Sequence, residues 1–142
     1  MEIKMVLFLP RDASSVPVSR QVLDGCLETL GVTEDTRTDI ALALGEACAN
    51  VVQHAGPHND YEVRVDLDDH RCRIQVTDQG EGFDPSLLTE QLPADVLDGG
   101  TGLRLMRALV DTLQFEQDAE GRHRVTFVKR LASRQPLSVP PL

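Results

Sequence analysis

Glu46 and Asn50 stand four apart in ALALGEACANVVQH, a stretch whose apolar residues recur at helical spacing. One helical turn separates them, so a carboxylate and an amide oxygen share a face and can serve as a base and a hard-cation ligand. Read alone, such a pair is far more often a solvated polar stripe. The small neighbours Ala43, Ala47 and Ala49 point to a place where a ligand approaches the helix, and His54 extends the face by another turn. A second group is Asp78-Gln79-Gly80-Glu81-Gly82, which follows a strand-like run. Its glycines permit close approach of the backbone to a ligand, and Asp78 offers a fixed acceptor at the strand end. Alone, it is also what a turn-rich loop requires. A third group, Asp98-Gly99-Gly100-Thr101-Gly102-Leu103, runs straight into a helical pattern. Free N–H groups and the positive end of the helix dipole there favour an anion, phosphate above all. A glycine hinge is the plainer reading, and the two are compatible.

Other chemistries are excluded by pattern. There is no G-x-x-x-x-G-K-[ST] loop, Gly100-Thr101-Gly102 lacks the third glycine of a dinucleotide fingerprint, and no G-x-S-x-G occurs. His54 and His58 straddle Gly56-Pro57, so they do not share a helix face as a zinc pair would.

Several elements must position these residues. Residues 3–9 (IKMVLFL) read as a strand ending at Pro10. Ser14 or Ser15 with Pro17 opens a first helix that runs to Gly31, and Thr33 with Glu34 and Asp35 opens a long second one stopped by Gly56-Pro57. Residues 61–67 and 72–77 alternate apolar and polar around the turn Asp68-Asp69-His70. Residues 83–99 hold two prolines and no sustained period, as in a loop or lid. A helix begins just after Gly102, and strands near 113–118 and 123–131 flank a turn at 119–122. The expected fold is an α/β (α+β) two-layer sandwich, a mostly antiparallel mixed sheet with helices on one face. One domain spans 1–131, and the proline-rich tail 132–142 is expected to be disordered.

Composition agrees with a folded domain and removes some partners. Of 142 residues 41% are hydrophobic, and 14 basic against 23 acidic side chains give a net charge of −9. With 4% aromatic residues and no Trp, base-stacking platforms and a phosphate-binding basic face both lack material, so no direct nucleic acid is expected. Cys26, Cys48 and Cys72 have no C-x-x-C spacing and lie among aliphatic residues, as core thiols do. Neither a secretory leader nor a membrane span is legible, so no membrane is expected and the expected compartment is the cytoplasm.

The three groups in this order, E46-A-C-A-N50-V-V-Q-H54, D78-Q-G80-E-G82 and G99-G-T-G102-L, resemble the N, G1 and G2 boxes of the GHKL ATPase superfamily, whose ATP-binding domain is the Bergerat fold. Within it, LPRDASSVPVSR and GTGLRLMRALVD are similar to the small stand-alone anti-sigma factor serine/threonine kinases of bacteria, the actinobacterial ones especially, and the likeness spans residues 5–131. The resemblance implies that Glu46 is the general base, that Asn50 binds Mg²⁺, and that Asp78 accepts from the adenine amino group of ATP. Gly80 and Gly82 would keep that pocket open, residues 83–99 would form the ATP lid, and Gly100, Thr101, Gly102 and Leu103 would meet the phosphates. The resemblance leaves open whether a basic residue, Arg104 or Arg107 being the candidates, faces the γ-phosphate. The implied partners are a sigma factor and an anti-anti-sigma protein phosphorylated on serine, and a homodimer is within what the resemblance allows. The alternative is an ATP-binding module that sequesters its partner without phosphoryl transfer; a histidine kinase domain is disfavoured for want of a dimerising helix pair ahead of residue 11.

Overall fold

Alternation along the strands decides which sheet face is buried. The structure, a computed structural model, describes residues 1–54, 60–78 and 101–131, apart from the side chains of residues 54 and 101–103. Its elements in chain order are β1 (Ile3–Leu9), α1 (Ser15–Thr29), α2 (Glu34–His54), β2 (Tyr61–Leu67), β3 (Arg71–Asp78), α3 (Thr101–Leu109), β4 (Thr112–Gln117) and β5 (His123–Arg130). The strands form one sheet in the order β1-β2-β3-β5-β4, and every pairing among them is antiparallel. The mostly antiparallel two-layer sandwich expected from the sequence is therefore observed. The lid 83–99, Gly56-Pro57, His58, Gly80, Gly82, Gly99, Gly100 and the tail 132–142 lie outside the described residues.

One sheet face carries Val63, Val65, Leu67, Cys72, Ile74, Val76, Val125 and Phe127, all buried. Leu23 and Leu27 of α1, six residues of α2 and Met106 of α3 close the core over it. Burial of one such aliphatic side chain contributes about 1.5–3 kcal/mol, several times the spread of helix propensities, so the helices are held by their faces. The outer face is mostly polar and laced with ion pairs such as Arg73–Asp66 at 3.7 Å and Arg124–Glu116 at 3.9 Å. On the edge strand β1 this face also exposes Val6 and Phe8.

Local chemistry explains the element ends. Gly31 closes α1 at φ 78°, a conformation that side chains with a Cβ rarely adopt. The start of α1 differs from expectation: Ser14 makes no side-chain cap, its N–H instead donating to Asp12 Oδ1 at 3.1 Å. Ser15 Oγ turns inward, donating to the Asp12 carbonyl at 2.7 Å and meeting the Tyr61 hydroxyl at 2.6 Å. The β2–β3 turn is held by Asp68 Oδ1, which accepts from the N–H of His70 at 2.7 Å and of Arg71 at 2.9 Å. These two bonds hold the Asp68 carboxyl below its usual range. Cys48 and Cys72 are buried free thiols as expected, burial pushing Cys72 up to about 12, whereas Cys26 is only half-buried.

The Tyr61 hydroxyl is the polar bolt between the sheet and the start of α1. Tyr61→Phe deletes one buried hydrogen bond and is expected to lower unfolding free energy by about 1–2 kcal/mol, read by urea denaturation with an unchanged m-value. A loss under about 0.3 kcal/mol would show that the Ser15 hydroxyl is satisfied by Asp12 alone.

Candidate functional site

The apolar stripe of α2, formed by Ile40, Ala43, Leu44, Ala47, Cys48 and Val51, fixes the rotation of the helix on the sheet. At about 100° per residue, that phase leaves Asp39, Glu46 and Asn50 along one flank of the stripe. Glu46 and Asn50 are half-exposed there. Ala43 and Ala47, by contrast, belong to the core, so their small size serves helix packing and not the approach of a ligand; Ala49 is exposed.

The same flank receives α3. Lys129 of β5 donates to Asp39 Oδ2 at 3.1 Å and to the carbonyl of Leu109, the last residue of α3, at 2.7 Å. One ammonium thus caps the negative end of α3 and binds that end to Asp39. α3 also packs against α2. The helix starts at Thr101, earlier than the expected position after Gly102, so the N–H groups of Thr101, Gly102 and Leu103 fall in its first turn, where helical partners are lacking. Arg104 and Arg107 are exposed on this helix, Arg104 one turn from its start and Arg107 in its last turn.

Asp78 ends β3. It stands opposite Tyr61 of β2 and His123 of β5, and Tyr61 in turn stands opposite Leu9, so Leu9, Tyr61, Asp78 and His123 form one row across the end of the sheet. Asp78 is buried, and its carboxylate is ion-paired through Oδ1 with Nη2 of Arg11, the two side chains being 2% and 3% exposed. Arg11 lies in the turn between β1 and α1, two residues past Leu9. Burial lowers the pKa of its guanidinium from the usual value. The sequence reading singled out Asp78 but not Arg11; the signal in hindsight is a basic residue placed just after a strand end and inside an otherwise tight Pro-x-Asp turn. Gly45, the residue before Glu46, has Arg20 of α1 across it, 3.2 Å from where a Cβ would stand. Among the described residues no group of three or more His, Cys, Asp or Glu could hold a metal by itself. No described helix is long and apolar enough to cross a membrane.

The described residues thus offer a carboxylate and an amide on one flank of α2, the N-terminus of α3, whose dipole favours an anion, and a buried, charge-paired carboxylate at the end of β3. Residues 9–129 match the family model described as the histidine kinase-like ATPase domain. The chain is 34% identical over 120 residues to the serine-protein kinase RsbW of Halalkalibacterium halodurans, covering 78% of this chain and 74% of that one. It is 32% identical over 124 residues to serine-protein kinase RsbW of Bacillus velezensis, covering 78% and 76%. Among solved structures, the RsbU and RsbW domains of a Mycobacterium tuberculosis protein superpose with a TM-score of 0.71 at 21% identity, over 94% of this chain and 33% of that longer one. The SiaB–SiaC complex of Pseudomonas aeruginosa gives a TM-score of 0.66 at 16% identity, over 87% and 88%. These two likenesses speak to the fold.

The Lys129 clamp generates a prediction. Lys129→Met keeps the aliphatic stem but removes the cap, and is expected to lower Tm by about 3–6 °C while speeding amide exchange in α3 more than in β2 and β3. Uniform acceleration across the sheet, or none in α3, would mean that α3 is held by Met106 packing alone.

Proposed function

The chain belongs to the histidine kinase-like ATPase family, and from that premise we propose that it is an ATP-dependent protein serine/threonine kinase of the anti-sigma type, acting on an anti-anti-sigma partner. The observation that carries the reading is the single half-exposed flank of α2 that presents Glu46 and Asn50 together, on a helix against which α3 packs.

The roles follow from chemistry. Asp78 faces the base of ATP and accepts from its amino group, and Gly80 and Gly82 are assigned the role of keeping that pocket open. Gly100 and the first-turn amides of Thr101, Gly102 and Leu103 meet the phosphates, where the helix dipole favours negative charge. Of the two arginines, Arg104 is nearer that end and is assigned to the γ-phosphate. The donor available fits Mg²⁺: the half-exposed amide oxygen of Asn50 suits a hard cation that keeps water and phosphate ligands. Bound there, it would neutralise phosphate charge. Glu46 takes the proton from the partner's serine hydroxyl as the serine oxygen bonds to the γ-phosphorus. The bond from that phosphorus to the β,γ-bridging oxygen breaks, and ADP leaves.

The partner is supported by the names of the relatives, serine-protein kinases, and by the complexed state of the Pseudomonas neighbour. A sigma factor held in alternation with that partner, and a homodimer, belong to the same proposal. The edge strand β1, with Val6 and Phe8 exposed, is apolar surface available for one of them. A cytoplasmic location belongs to the same proposal, and use of ATP is consistent with it.

Two measurements test the reading. Glu46→Gln keeps shape and hydrogen bonding but cannot take a proton, so ATP affinity is expected to persist while the initial rate of serine phosphorylation falls about 10²–10⁴-fold. A wild-type protein with no transfer to any anti-anti-sigma protein would leave only the binding module; a Gln variant as fast as wild type would remove Glu46 as base. Asn50→Ala is expected to abolish the gain in ATP affinity on adding Mg²⁺ without changing the circular dichroism spectrum. Full magnesium dependence in that variant would assign the cation elsewhere.

A further inference from the structure

The end row of the sheet explains how Arg11 reaches Asp78. Leu9, Tyr61 and Asp78 are aligned on three adjacent strands, so the chain leaving β1 and the end of β3 are two strand spacings apart, about 9.6 Å. Between them the Tyr61 hydroxyl is drawn aside to Ser15, and the guanidinium of Arg11 spans the gap to the Asp78 carboxylate. The turn that carries Arg11 is itself tightly tied. The Asp12 N–H donates to the Pro10 carbonyl at 2.8 Å, and the Asp12 carbonyl accepts from both the N–H and the Oγ of Ser15. Arg11 is therefore delivered from a fixed backbone to a fixed carboxylate.

A carboxylate buried to 2% would tend to protonate, and a protonated acid presents a donor to an amino group that is itself a donor. A facing cation opposes this, and a guanidinium engages one side of a carboxylate while leaving the rest of its acceptor capacity for another group. We propose that Arg11 is a positioning residue for base recognition: it keeps the Asp78 carboxylate charged and oriented, and so makes the site select a 6-aminopurine over a 6-oxopurine. This rests on the reading that Asp78 meets the base. The role assigned to Arg11 is exerted through its ion pair with Asp78.

The test compares the affinities of ADP and of inosine diphosphate, which carries an oxygen in place of the amino group, by calorimetry at constant Mg²⁺ between pH 5.5 and 8.5. Phosphate titration is common to both nucleotides and cancels in their ratio. Tyr61 and His123 opposite Asp78, Arg20 of α1, and Glu46 and Cys48 of α2 are present in every variant. The wild-type chain is expected to prefer ADP by about tenfold or more across the range. In Arg11→Met the carboxyl is expected to take up its proton as pH falls, so the preference shrinks toward parity or reverses on the acid side, where a protonated acid donates to the purine oxygen. Arg11→Lys, which restores the cation, is expected to restore the preference. If Arg11→Met does not fold, Arg11→Gln, which keeps a neutral donor, serves with the same expected acid loss. A purely structural pair would weaken both nucleotides alike, and an unchanged, pH-independent ratio in Arg11→Met or Arg11→Gln overturns the proposal. A wild-type protein that binds ADP and inosine diphosphate equally overturns the role of Asp78 itself, and Arg11's with it.

Discussion

The rotation of α2 on the sheet is the constraint from which the rest follows. Six residues from Ile40 to Val51 are consumed by the core, and a helix that must bury them has no freedom to turn. Any rotation large enough to move Glu46 or Asn50 off its flank would expose Ile40 or Leu44, at a cost comparable with much of a small domain's stability. The placement of Glu46 and Asn50 is thus inherited from hydrophobic packing. The flank is also where Asp39 meets Lys129, so the contact that ties down the end of α3 lies on the same line of the helix as Glu46 and Asn50.

Much of this was legible in the residues, for physical reasons that differ by element. β2 and β3 were readable because one face is core and the other is solvent, which writes a period of two into the chain. α2 was readable from its stripe, and Glu46 and Asn50 from their spacing on it. The start of α3 was less so, since Thr101 and Gly102 are poor helix formers and their inclusion is decided by packing of the helix beyond them. Ser14 looked like a cap, but its backbone is already helical at φ −65° and ψ −20°, not in the extended conformation from which a serine oxygen caps the first turn.

Long-range polar pairs were not legible at all. Nothing local to Arg11 announces Asp78, 67 positions later, and nothing local to Lys129 announces the carbonyl of Leu109 or Asp39. Such pairs arise where the sheet order brings distant chain segments side by side, so they are properties of topology and not of composition. Ala43 and Ala47 show the converse error. Small residues on a helix signal close approach of something, and here it is the core, not a ligand.

The pairing of β1 with β2 has a further consequence, for the order in which the molecule assembles. β2 and β3 join through a tight turn, as do β4 and β5, but Leu9 and Tyr61 are 52 positions apart. Closing a loop of that length costs chain entropy before any strand contact rewards it, and contacts of high sequence separation slow folding. The hairpins and the α1–α2 pair need no such closure. Arg11 arrives only with β1, so its ion pair with Asp78 is completed at the docking of an edge strand, later than the hairpins that need no long closure.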